Sequence, residues 1–471
     1  MYIVALCVSA VLLPALPQAA TSQPAALVAR VDPRVELMSI IFRLAGHPEY
    51  NMPNSQSAYS TAVEEQFGGF RDHAVVKLAR ELRARRGVSY DAVMSMAVHL
   101  TDTRELKERV PFDLPPARLD QRWHAAEARE FLERAREFVA ESKFNDFCTA
   151  QRKLYSAAGK RLTKKLNERG YLKWFDKFFG ARPGAEFHVF VGLLNGGGNY
   201  GVGIRYPDGR EEITPVIGVS EFDDEGVPEF GDGLVPTVVH EFCHSYTNPL
   251  VDTHFAALQP AAERIFAHCE DTMRDQAYGS AQTVLYESLV RACVVRYTHA
   301  TDGASAAKRQ IEAEHARGFE WIGELAERLA EYEANRAKYP TLDAFMPRIV
   351  AFFNEYAPRY EALQKDAPQV KSMTPVNGAQ DVDPNLKEIR IEFDRPMRDQ
   401  SWSIVGGGPH FPELAGKPAY DAARRVLTVP VRLKPGWSYE FWLNRNEYRG
   451  FVSEDGQPLK PVAVTFETRA E

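Results

Sequence analysis

From Val35 onward the apolar positions recur at helical spacing, with Leu37, Ile40, Ile41 and Leu44 on one face and a stop at Gly46. The same periodicity returns over 74–100 and 124–170, with Arg, Lys and Glu crowded on the opposite face. Glu127, Arg129, Glu130, Glu133, Arg134 and Arg136 read there as a solvated helix surface. Near residue 185 the period changes. Residues 187–191 (FHVFV), 196–204 and 213–219 are short β-runs separated by Gly-rich turns. Helical spacing resumes at about Leu234 and continues to about Leu363. Beyond Asp366-Ala367-Pro368 it vanishes: 388–393, 425–429, 438–443 and 462–466 alternate polar and apolar residues, punctuated by Pro, Gly and Asn. That is the pattern of a β-sandwich. The expected fold is therefore α+β: a mainly helical domain with a small β-sheet over 31–365, then an all-β sandwich over 368–471.

The first twenty residues carry no charge, are mostly apolar and end in small residues at Ala19 and Ala20. Residues 1–20 read as a signal peptide, although the usual positive n-region is missing, and the expected location is secreted or periplasmic. The apolar run is short for a membrane span, and no other segment is long and apolar enough to be one. A length of 471 residues with 45% hydrophobic and 26% charged residues suits two or three globular domains. The net charge of -7 is mild and no basic patch occurs, which argues against a nucleic-acid or anionic-membrane partner. After removal of the signal segment Cys148, Cys243, Cys269 and Cys293 remain, with no CxxC pair. This excludes a disulfide scaffold and a thiolate zinc site and leaves buried thiols, with room for one bridge.

The chemistry concentrates in Pro236-Thr237-Val238-Val239-His240-Glu241-Phe242-Cys243-His244-Ser245-Tyr246, which contains HExxH. Histidines four apart on a helix lie one turn apart on one face, where two imidazoles can chelate one zinc ion. Glu241, beside the first of them, can take a proton from the attacking water. Positions 237–246 carry no charge other than Glu241, so this helix is expected to be buried. Pro236 suits its first turn, and Asn248-Pro249 predicts a stop directly after the motif.

A third donor is needed. Thr247 and Leu250 stand where a third-histidine motif would put Gly and His, so a glutamate from a second helix is expected. Glu287 lies in a segment apolar on nearly every side, where a carboxylate needs a partner: either Arg291 at i+4 in a buried salt bridge, or a metal. Glu263, in a more polar context, is the alternative. Tyr278, His254, His268 and Tyr286 are candidate hydrogen-bond donors to a tetrahedral oxyanion. No Lys-Ser or Lys-Thr follows the 196–200 segment, so it reads as a turn feeding an edge strand, to which an extended peptide can add by strand pairing.

Several separated motifs stand in the same order as in a known bacterial family: 35–46 (VELMSIIFRLAG), His240-Glu241-Phe242-Cys243-His244-Ser245 with Asn248-Pro249-Leu250, Gln276-Ala277-Tyr278-Gly279, and Glu287-Ser288-Leu289-Val290-Arg291-Ala292. Over roughly 34–360 the chain resembles domain of unknown function 4932, whose members look like gluzincin-type, zincin-like metallopeptidases. The resemblance implies zinc held by His240, His244 and Glu287, Glu241 as general base, and a peptide or protein substrate. The tail is similar to bacterial Ig-like domains through 372–379, 391–397 and 433–439, which implies a spacer or a protein or glycan contact. Two rival readings stand beside this one: a zinc amidohydrolase acting on cell-wall or other non-protein amides, and a non-catalytic extracellular binding protein that works through the Ig-like domain.

Overall fold

The computed structural model describes residues 27–53, 56–113, 119–168, 172–180, 182, 184–231, 233–445 and 448–470. The signal-peptide reading of residues 1–20 falls outside them. Two compact units form, one from 1–169 with 182–230 and the other from 170–181 with 231–471.

The first unit opens with β1 (Ala29–Val31) and α1 (Pro33–Leu44). Asp32 caps α1 by accepting from the Arg34 N–H, Pro33 occupies the first turn, and residues 34–44 are all buried. Around α1 come α2 (Ala58–Phe67), α3 (Ala74–Arg86), α4 (Asp91–Val98), α5 (Ala125–Glu141), α6 (Phe144–Ala150) and α7 (Arg152–Asn167). The sheet adds β2 (Ala185–Phe187), β3 (Val189–Gly192), β4 (Tyr200–Arg205) and β5 (Glu211–Gly218). β2 and β3 run parallel to β5, β1 runs parallel to β3, and β4 pairs antiparallel with β5. Helix α7 crosses β1 at Gly159, where a Cβ would lie 2.8 Å from the Ala29 carbonyl oxygen.

Glu36 on α1 is fully buried and accepts from the Leu193 N–H at 3.0 Å. Burial, working against that bond, pushes its pKa from the ordinary 4.5 up to about 7. The folded state therefore holds this proton more tightly than the unfolded chain. The associated stability is fully present below pH 4.5 and is lost as the pH climbs towards 7. A tenfold difference in proton affinity is worth about 1.4 kcal/mol, so the loss reaches about 3 kcal/mol at most. Glu36→Gln is expected to flatten this slope. Denaturant midpoints at pH 5 and pH 8 check it, and an unchanged slope in the variant rules it out.

The second unit begins with α8 (Leu172–Phe179) and continues with α9 (Leu234–Arg274), α10 (Ala281–Asp302), α11 (Ala304–Ala316), α12 (Ile322–Ala334) and α13 (Leu342–Lys365). The stop predicted at Asn248-Pro249 does not occur: α9 is continuous over 41 residues, through both Pro249 and Pro260. Each proline removes one backbone hydrogen bond, but α9 packs along α10 and α13 for much of its length, and that burial outweighs the loss. The Thr253 hydroxyl also donates to the Pro249 carbonyl at 2.8 Å. The stop signal is real at the level of local propensity, and tertiary packing overrides it.

After α13 the chain forms β6 (Val370–Thr374), β7 (Ala379–Val382), β8 (Glu388–Phe393), β9 (Ile404–Val405), β10 (Glu413–Leu414), β11 (Ala419–Tyr420), β12 (Val426–Arg432), β13 (Ser438–Leu443) and β14 (Val462–Thr468). They make two sheets. One has the order β10-β12-β8-β6 with β11 also on β12; the other has the order β7-β14-β13-β9. Ile389, Ile391, Phe393, Leu427, Val429 and Val431 from the first share a core with Tyr439, Phe441, Leu443, Val464 and Phe466 from the second. The alternation read from the sequence is thus the inward and outward alternation of the strands. Buried Asn444 closes one end, donating to the carbonyls of Phe451 and Leu459 and accepting from the Phe451 N–H, each at 2.9 Å.

Candidate metal centre

Local sequence explains how the motif is presented. On α9 Val238, Val239, Phe242 and Cys243 are buried, and the ring of Phe175 on α8 packs against Phe242 at 5.8 Å and Tyr246 at 5.6 Å. That fixes the helix rotation and leaves His240 and His244 on the remaining face, with side chains 20% and 16% accessible. Their Nε2 atoms stand 3.2 Å apart. From α10, Glu287 brings Oε2 to 3.5 Å from His240 Nε2 and Oε1 to 3.4 Å from His244 Nε2. Bonds of about 2.0–2.2 Å in a tetrahedral shell place donors roughly 3.3–3.6 Å apart; the His–His edge and the two Glu287 contacts, which run to different carboxylate oxygens, lie near that spacing. Two imidazole nitrogens this close repel unless a proton or a cation lies between them. His244 Nδ1 lies 3.2 Å from Asn248 Oδ1, which can accept a hydrogen bond from Nδ1–H and so favours the neutral tautomer with its lone pair on Nε2.

The electrostatics favour one positive charge in this pocket, carried by His244 as a proton that a metal would have to displace before both imidazoles could act as donors. Burial is the largest effect on His240 and pushes its pKa down to about 3, keeping the ring neutral. Burial also works against a charged His244, but the hydrogen bond and charge of Glu287 outweigh it and raise that ring to about 9. Burial disfavours the Glu287 carboxylate, yet the two imidazoles and Arg291 hold its pKa far below the usual range. The pocket thus keeps a carboxylate charged among groups suited to a cation. Glu241 is also buried and its charge acts on His244, but it is not one of the three converging donors.

Of the two third-donor candidates only Glu287 is brought to the histidines. Glu263 is exposed, accepts from Gln259 at 2.7 Å, and sits far along the same helix. At about 1.5 Å per residue it is roughly 28 Å from His244. The unpredicted continuity of α9 is what removes it. Arg291 does bond Glu287, at 3.0 Å, so the salt bridge weighed against a metal is present together with the converging donors. Tyr278 joins this network, its hydroxyl accepting from Arg291 at 2.8 Å. His254 instead bonds Asp343 at 3.1 Å, His268 meets the edge of Tyr360, and Tyr286 bonds Asp252. Sequence reading missed Glu314 on α11, which is 2% exposed and bonds Arg291 at 2.5 Å. Its neighbours Glu312 and Arg309 give it the appearance of an ordinary surface position.

A second grouping, Glu186, His188 and Glu212, occurs in the first unit. Glu186 is exposed, and Glu212 already accepts from both Arg109 nitrogens and from Tyr206, which leaves few lone pairs for a cation. Cys148, Cys243, Cys269 and Cys293 are free thiols.

The architecture is thus a helical body in which His240, His244 and Glu287 form a triad that could hold a metal ion, followed by a β-sandwich. The chain belongs to the family described as Domain of unknown function (DUF4932), whose model matches residues 27–352. Residues 364–468 match a bacterial Ig-like domain. No curated protein matches. Among solved structures, the surface layer protein SbsC, domains 1-6, is 15% identical over 53% of this chain and 35% of its own, with a TM-score of 0.16. The S-layer protein rSbsC is 13% identical over 84% of this chain and 46% of its own, also at 0.16. The chain spans less than half the length of those structures, and overlap this slight does not define a shared fold. Among the described residues no helix is long and apolar enough to cross a membrane.

Proposed function

We propose that the chain is an exported zinc-dependent metallopeptidase with His240, His244 and Glu287 as the metal donors and Glu241 as the general base. One observation carries the reading: two imidazoles and a carboxylate from two packed helices converge within about 3.5 Å of one another, with a further buried carboxylate next in sequence to the first histidine. Zinc in such a donor set supplies Lewis acidity. The chain's own groups do the rest. Asn248 orients the His244 ring, and Arg291 orients Glu287. Glu241 takes the proton of the attacking water and passes it to the leaving amine. Tyr278, bonded to Arg291 beside Glu287, is the best placed of the four candidate donors to meet an oxyanion. The Ig-like tail serves as a spacer or as a protein or glycan contact.

Metal analysis of the purified mature chain, followed by assays on casein and on muropeptides, tests this. The expected result is one zinc per chain and casein hydrolysis that a chelator abolishes and zinc restores. Zinc with activity on muropeptides alone would move the reading to a cell-wall amidohydrolase. Failure to bind zinc would overturn it and turn attention to binding by the Ig-like domain.

A further inference from the structure

Arg291 poses a problem for a metal centre. Its guanidinium bonds the ligand carboxylate Glu287 at 3.0 Å, in a pocket where Glu287 is 7% and Arg291 8% exposed. A cation there competes with a metal ion for the same carboxylate electrons and repels it, and burial leaves little water to screen the repulsion. An isolated arginine at this position would weaken the site it borders.

The arginine is not isolated. Its other terminal nitrogen donates to Glu314 Oε2 at 2.5 Å, and Glu314 is the more deeply buried of the two acids, at 2% exposure. Glu314 is itself held by Gln310 at 2.6 Å and Arg317 at 3.1 Å. The Phe319 ring lies 4.5 Å beneath the guanidinium and fixes its plane. The result is a relay across two helices, from Glu314 on α11 through Arg291 to Glu287 on α10. We infer that Glu314 is a positioning residue for the metal centre: it neutralises Arg291, so that Arg291 orients Glu287 without claiming the charge that Glu287 offers the metal. This rests on the zinc-centre reading above and extends it by one residue that touches no donor atom.

The test is zinc affinity, measured on the full chain by competition with a chromophoric chelator, with the thermal midpoint of the metal-free protein read alongside. In Glu314→Gln the side chain keeps its shape and an acceptor oxygen but loses its charge. Zinc affinity is expected to fall by about 10- to 100-fold, the range typical of groups that support metal ligands. The double variant Arg291→Met with Glu314→Gln removes both buried charges together; if Glu314→Gln folds poorly, Glu314→Asp, which keeps the charge one methylene shorter, takes its place as the single variant. The double variant is expected to recover at least a third of the lost affinity on a logarithmic scale. Affinity within twofold of wild type in Glu314→Gln overturns the inference, as does a double variant no better than a folded single one, because Glu314 would then stabilise the fold alone. If the wild-type chain binds no zinc, the metal-centre reading fails and this inference fails with it.

Discussion

Glu241→Gln is expected to leave zinc bound at full stoichiometry while turnover falls by at least about 10³-fold, within the range for loss of a general acid–base. Gln keeps the shape of Glu, so the buried position beside His240 stays filled and the three donors, none of which is Glu241, keep their places. What goes is the capacity to accept a proton. The change should appear in kcat far more than in KM, because the group acts on the reacting water and not on substrate binding. Metal analysis and steady-state kinetics on one preparation check both halves. Turnover within tenfold of wild type would remove Glu241 from the mechanism, and simultaneous zinc loss would give it a structural role instead.

The second large effect is expected at the donors. His244→Ala removes the Nε2 that lies 3.2 Å from His240 and 3.4 Å from Glu287. Structural zinc sites contribute about 10–16 kcal/mol over four ligands, so one donor accounts for roughly 3 kcal/mol, on the order of a hundredfold in affinity. Zinc also stabilises the native state by mass action, so the wild-type midpoint should rise on adding zinc and that of His244→Ala should barely move. Glu263→Ala is the matched control on the same helix. Its side chain is exposed, and zinc affinity should equal wild type. Equal zinc-induced shifts in wild type and His244→Ala would mean that the ion binds elsewhere.

Some of this was legible in the sequence because it lives in periodicity and spacing. The i, i+4 histidines needed only a helix to become neighbours, and the apolar flanks of Glu241 supplied it. Glu287 stood out because an acid in an apolar helix needs a partner, and it has both the imidazoles and Arg291. The alternating runs after Pro368 translated directly into the two sheets. The failures share a cause: they depend on contacts remote in sequence. Pro249 signals a stop locally, and only the packing of α10 and α13 keeps the helix going. Glu314 looks like a surface acid, and only the docking of α11 on α10 buries it. Phe175 on α8, which sets the rotation of the HExxH helix, lies 59 residues before the start of that helix and carries no motif.

The placement of the donors on two consecutive helices bears on how the centre comes into being. His240, His244 and Glu287 all lie between the start of α9 and the end of α10, so a chain synthesised as far as Asp302 already carries every donor atom. Closing the loop between the histidines and Glu287 costs little entropy, because the intervening segment is itself helical and doubles back once. By contrast the β-sandwich includes a parallel pairing of Ala379 with Phe466, which must wait until Phe466 has been made. In folding terms the donor pair is a low-contact-order structure, while the sandwich is a late one. The ordering predicts that the helix pair carrying the proposed metal site takes shape before the sandwich assembles.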